Sequence, residues 1–387
     1  MTARIVLAFA LLQTPEEGYR LGVRLYGEGK LAEAEVALMK TLEVEPAFTP
    51  AQFQLGAVYV RLHRLPEART LFDRVLLRFP RHADIEARMG LAYFLEKLHA
   101  EARPHLERAL EIDPRANEAR LALAQLEARE KNYAKALDLL DEVVRQAPQR
   151  AEAHYYRSVV LELSGKQEDA VASAEQAVAL DGRDAQFRIH LGGLYLELER
   201  WVESERELGQ AAALGARDAA FFLKLGRAQI NQERLDAARA AFSRALELNP
   251  RSGQALLQLG YIEWRLSNYA GAVALLERAI VEEPDLMQAY HFLGLIALRR
   301  EDLDRAEMRF RQAIERSPGF AEAYFNLGKI ALKRGRLEDA IDLLEKAVDS
   351  FPGYKEAYYQ LGFAYREKGD DDKASRALER FRELSKS

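Results

Sequence analysis

The chain has 387 residues, 49% of them hydrophobic and 30% charged, with 56 basic side chains against 61 acidic ones and a net charge of -5. That apolar content can offset chain entropy and excludes a disordered chain, and the missing basic surplus argues against a nucleic-acid binder, which must displace counterions from phosphate. There is no cysteine, which removes disulfides, thiolate metal sites and cysteine nucleophiles, and no apolar run reaches the roughly 20 residues of a membrane-spanning helix.

Residues 1–14 stand apart from the rest. Arg4 precedes an apolar stretch, Ile5 to Leu12, and Gln13-Thr14-Pro15 follows as a polar turn. One positive charge before a short apolar run predicts a very short export signal, and an exported or periplasmic chain. Ala8-Phe9-Ala10 offers a small-x-small site, although cleavage there leaves too short an apolar core. The alternative is an N-terminal flap over the first helix pair of a cytoplasmic chain.

From Pro15 onward the sequence is periodic. Leu-Gly recurs at Leu21-Gly22, Leu55-Gly56, Leu191-Gly192, Leu225-Gly226, Leu259-Gly260, Leu293-Gly294, Leu327-Gly328 and Leu361-Gly362, always at 34 residues or a multiple of it. Met89-Gly90, Leu123-Ala124 and Arg157-Ser158 fill the missing beats. Residues 15–387 thus read as eleven repeats in unbroken register. With Gly22 counted as position 8, position 20 is Ala in ten repeats and Ser204 in the remaining one, and position 32 is Pro in eight. Positions 1–14 carry apolar residues at 5, 7, 9 and 12, a helical pattern. A tight turn follows at positions 15–17, then a second helix that often opens with acids such as Glu67, Asp169 and Asp339. The Pro at position 32 stops that helix. Small residues at positions 8 and 20 let the two helices approach closely.

In chain order, repeat 1 turns at Gly27-Glu28-Gly29-Lys30. This imitates a glycine-rich phosphate loop but follows no strand, so it reads as the turn of its repeat. Repeat 3 has Pro104 inside its second helix, where the missing N–H predicts a bend or a delayed start. Repeats 5 and 6 replace the position-32 Pro with Gly182 and Ala216, and Arg157 and Ser204 replace a Leu and an Ala; a softer joint is expected over residues 180–220. In repeat 11, Arg382 stands at position 28, apolar in the other ten, with Ser375 at position 21, as suits the polar outer face of a terminal repeat.

These columns resemble the tetratricopeptide repeat family over residues 15–387. The resemblance implies an all-α fold, a right-handed superhelical solenoid of antiparallel helix pairs forming one array. First helices would line a concave face and second helices a convex one. It also implies a protein-binding scaffold whose ligands meet positions 2, 5, 9, 12 and 13 of the first helices.

Those positions carry Tyr155, His291, Phe325 and Tyr359 (position 5), Tyr261 and Phe363 (position 9) and Trp264 (position 12). Aromatic side chains give large contact area at low entropy cost and suit binding anchors; packing between neighbouring first helices is the competing reading. Tyr261, Trp264 and His291, in adjacent repeats, form the best anchor patch. Arg265, Arg299 and Lys333 build a basic ladder at position 13 that could hold an acidic segment, or could simply complement the helix dipole. The carboxylate clamp of some family members is absent: no repeat has Lys at position 5, and Asn326 is the only Asn at position 6.

Catalytic signals are missing. The seven histidines form no i, i+4 pair and no H-E-x-x-H pattern, so no metal site is expected. Ser158 and Ser164 lack a G-x-S-x-G frame. The expectation is a non-enzymatic scaffold without cofactor, binding a protein or peptide partner in its groove, in envelope assembly or secretion if exported. Self-association by end-to-end stacking is the runner-up, and a catalytic or enzyme-associated subunit is the alternative of another class.

Overall fold

The computed structural model describes residues 14–386. Among them lie 22 α-helices and no strand. They come in pairs, one pair per repeat: α1 (Pro15–Gly27) with α2 (Leu31–Val44), α3 (Thr49–Arg61) with α4 (Leu65–Arg78), α5 (Ala83–Leu95) with α6 (His99–Ile112), α7 (Asn117–Arg129) with α8 (Tyr133–Gln146), and α9 (Ala151–Leu163) with α10 (Gln167–Leu180). Then follow α11 (Ala185–Glu197) with α12 (Trp201–Ala213), α13 (Ala219–Ile230) with α14 (Leu235–Leu248), α15 (Gly253–Arg265) with α16 (Tyr269–Glu282), and α17 (Met287–Arg299) with α18 (Leu303–Arg316). The last pairs are α19 (Ala321–Lys333) with α20 (Leu337–Ser350), and α21 (Lys355–Lys368) with α22 (Asp371–Leu384). The chain divides into two compact units, one ending at Phe187 and the other beginning at Arg188, inside α11.

Within each unit the helices of a pair meet at the small-residue columns. In the first unit a Cβ added to Gly56 would lie 2.5 Å from the Phe72 ring, and in the second a Cβ on Gly226 would lie 2.6 Å from the Phe242 ring. Glycine is required there because a large position-24 side chain lies directly over its backbone. The position-20 alanines, Ala34 to Ala374, are all buried, as is Ser204. Repeat 5 varies the scheme with Ser158 at position 8 and the small Ala174 at position 24, both buried.

The turn inside each pair uses a left-handed residue at position 15 in every repeat. Four are glycines, Gly29, Gly165, Gly335 and Gly369; the others are His63, Lys97, Lys131, Glu199, Glu233, Ser267 and Glu301. Residues 27–30 thus form a helix-to-helix turn. Thr14 caps α1, accepting from the Glu17 N–H while the Glu17 carboxylate accepts from the Thr14 N–H, each at 3.3 Å. The rest of the stretch on which the export-signal and flap readings rest lies outside the described residues.

Pro104 does not delay its helix: α6 starts at His99, in register with the other second helices, and runs on to Ile112. The carbonyl deprived of a partner belongs to Ala100, in the exposed first turn, where water can satisfy it. At the sixth repeat, where Ala216 replaces Pro, the linker spans residues 214–218 with Gly215 left-handed (φ 101°). Asp218 then caps α13, accepting from Phe221 N–H at 2.8 Å. Ser375 and Arg382 are exposed on α22. No helix among the described residues is long and apolar enough to cross a membrane.

Candidate protein-binding groove

Three rings from two successive first helices converge in the second unit. Tyr261 and Trp264 are three residues apart on α15 and therefore share a face. Their ring centroids are 5.8 Å apart and nearly stacked. Phe292 of α17 completes the cluster, 5.1 Å from Tyr261 and 5.4 Å from Trp264. All three are half-buried, so each is held by packing and still presents an edge or face. Phe292 sits at position 6, outside the ligand-facing columns 2, 5, 9, 12 and 13.

His291 itself turns away from the Tyr261–Trp264 pair. Its ring lies 5.6 Å from Phe310 of α18 and 5.1 Å from Phe320 in the following linker. Burial pushes the imidazole down to about 4, so it is neutral at physiological pH, and its Nδ1 is buried without a hydrogen-bond partner.

The other candidate aromatics are spread out. Tyr155, in the first unit, stacks on Phe187 at 5.0 Å, and burial raises its hydroxyl pKa. Phe325 packs on Tyr354 at 4.9 Å beneath the Lys329 ammonium. Tyr359 and Phe363 lie 4.7 Å apart and are the most open of the set, 41% and 44% exposed.

Of the ladder cations, Arg265 pairs with Glu233 at 2.5 Å and donates to the Tyr261 hydroxyl at 3.1 Å. Both contacts hold its guanidinium above its usual pKa. Lys333 lies 3.9 Å from Glu301. Arg299 opens onto a cavity of about 460 Å3 beside the aromatic cluster, lined also by Trp264, Arg265, Ser267, Tyr269, Leu295 and Leu298. A second hollow of about 450 Å3, unforeseen from sequence, lies between α13 and α15 and is bordered by Leu223, Lys224, Arg227, Phe242, Gln254 and Gln258. Apolar walls with a few cations can seat an extended or helical segment of another chain.

Comparison with known proteins agrees with this architecture. A family model described as tetratricopeptide repeat matches residues 53–117, 164–220, 223–286 and 293–355, and a second with the same description matches residues 93–158 and 331–383. Among solved structures, the APC/C hetero-tetramer Cut9–Hcn1 is similar at 14% identity, covering 99% of this chain and 90% of that one with a TM-score of 0.53. A tetratricopeptide repeat protein from Parabacteroides merdae is similar at 18% identity, covering 64% of this chain and 98% of that one with a TM-score of 0.53. MamA is similar at 26% identity over 42% of this chain and 95% of its own, with a TM-score of 0.37. No curated protein matches the sequence.

Proposed function

Because the chain belongs to the tetratricopeptide repeat family, we propose that it is a non-catalytic scaffold that holds a segment of a partner protein on the first-helix face of its second unit. The observation that carries this reading is the meeting of Tyr261, Trp264 and Phe292 beside the cavity at Arg299. Rigid aromatics held by packing make good anchors, since little side-chain entropy is left to lose on binding.

The test is affinity capture with wild type and with the Tyr261→Ala, Trp264→Ala double variant. Partner capture should fall while helicity, read by circular dichroism, stays unchanged. Cooperative unfolding of the double variant would show that the rings are packing elements and would end this reading. If the protein is exported, the same scaffold serves envelope assembly or secretion; an intact Met1 on the purified native protein would exclude that.

A second reading draws on the exposed Tyr359–Phe363 pair. It is self-association through this face, and it requires a mass that rises with concentration in the absence of any partner.

A further inference from the structure

The rungs of the basic ladder are not equivalent. At two of the three rungs, position 13 pairs with position 15 of the repeat before it, 32 residues back. Arg265 finds Glu233 there, and Lys333 finds Glu301. At the middle rung the residue 32 back from Arg299 is Ser267. Both line the same cavity, and Arg299 makes no ion pair or hydrogen bond among the described residues. The backbone is unchanged at the three bends, with φ 61° at Glu233, 61° at Ser267 and 59° at Glu301. What the middle rung lacks is a carboxylate.

We propose that this gap is a specificity pocket for an acidic side chain flanked by apolar residues in the partner segment. Its carboxylate takes the place on Arg299 that glutamate takes on the neighbouring rungs. The cavity, about 460 Å3, exceeds what one carboxylate needs, and Trp264, Leu295 and Leu298 give the flanking apolar side chain a seat. An exposed ion pair alone discriminates little. Arg299 is exposed, so the pair gains weight only when the partner's flanking apolar side chain, seated against the indole, covers it from water. The guanidinium of Arg265, the other cation lining the cavity, is already paired with Glu233.

The inference rests on the groove reading above, and the experiment keeps the two apart. The probe is a fluorescein-labelled, C-terminally amidated nonapeptide alternating Leu and Glu, compared by anisotropy with the same peptide carrying Gln for Glu. Wild type should prefer the Glu peptide by about tenfold. Arg299→Ala should abolish the preference. So should Ser267→Glu, which fills the gap with an internal carboxylate at a bend where Glu233 and Glu301 are already tolerated. Glu233→Ser should strengthen binding by freeing Arg265.

Equal binding of the Glu and Gln peptides, or full preference retained by Ser267→Glu, overturns the pocket. So does failure of both peptides to bind, or binding only of a version with a free C-terminal carboxylate. If the two peptides bind equally and Tyr261→Ala, Trp264→Ala removes both, the groove reading survives and the pocket alone fails.

Discussion

Ser158 donates its hydroxyl to the carbonyl of Ala170 at 2.7 Å, across the helix pair of repeat 5 and wholly out of reach of solvent. Ser204 does the same to the carbonyl of Gly192 one repeat later, also at 2.7 Å. The first occupies position 8 and the second position 20, so the two hydroxyls cross the same kind of contact in opposite directions. Ser158→Ala should cost about 1 kcal/mol, the worth of a buried neutral hydrogen bond. Urea unfolding checks this; no change would mean that the bond is replaced locally.

Glycines in this fold divide by what lies over them. Gly226→Ala drives a methyl into the Phe242 ring and should destabilise by about 1–3 kcal/mol, outweighing the roughly 1 kcal/mol of helix propensity gained. Gly209, in α12, has nothing within 4 Å of an added Cβ. Gly209→Ala should therefore stabilise, by up to about 1 kcal/mol. Thermal melts of the two variants should move in opposite directions.

His291 adds acid sensitivity to the second unit, alongside His190, which burial and then Lys224 also push down to about 4. Its folded pKa is about 4 against about 6.5 when unfolded, so the unfolded chain takes up the proton first. Stability is therefore full above about pH 6.5 and declines as pH falls toward 4. His291→Phe removes both this sensitivity and the unpartnered Nδ1, so its melting temperature should exceed that of wild type more at pH 5 than at pH 8. Parallel pH profiles for the two proteins would contradict the assignment.

Glu127 acts at lower pH in the first unit. Burial alone would raise its carboxyl, but hydrogen bonds from Lys135, Arg103 and Asn132 outweigh burial and hold it at about 2. Arg103 of α6 reaches it at 2.5 Å and Asn132, which precedes α8, at 2.9 Å, so this carboxylate ties repeat 3 to repeat 4. Its contribution is complete above about pH 4.3 and is lost as pH falls toward 2. Glu127→Ala should cost about 2–3 kcal/mol at neutral pH, reduced from a fully buried pair because Lys135 is half open to solvent. The difference between variant and wild type should shrink below pH 4, as denaturant titrations at both pH values would show.

The segment 180–220 should exchange its amides faster than the helices on either side. Gly182 and Ala216 replace the prolines that stiffen other linkers, and the linker at 214–218 is held by a left-handed glycine. Uniform exchange along the chain would refute this.

The helix pairs were legible in the sequence because their contact tolerates only small side chains, and that restriction writes Gly and Ala at a fixed spacing. The candidate groove was legible only in part. Tyr261 and Trp264 were visible as a pair three residues apart. The fate of His291 was not, because it is decided by Phe310 and Phe320, which approach from other elements and pack on the imidazole; nor was that of Phe292, which is set by its packing on Tyr261 and Trp264 of the preceding repeat. Pro104 shows the reverse case: a local rule was right about the lost hydrogen bond, but exposure of Ala100 made the loss tolerable. The opposition of Ser267 to Arg299 was present as a 32-residue offset, yet it acquires meaning only once the neighbouring rungs are seen to pair.

Seven of the eleven intrahelical-pair bends place an ordinary side chain, not glycine, in a left-handed backbone. These corners therefore display chemistry while contributing little to the interior. A single exchange at such a corner can open or close a binding contact and leave the packing columns untouched, so that one unchanged framework can be re-addressed to new ligands through its corners.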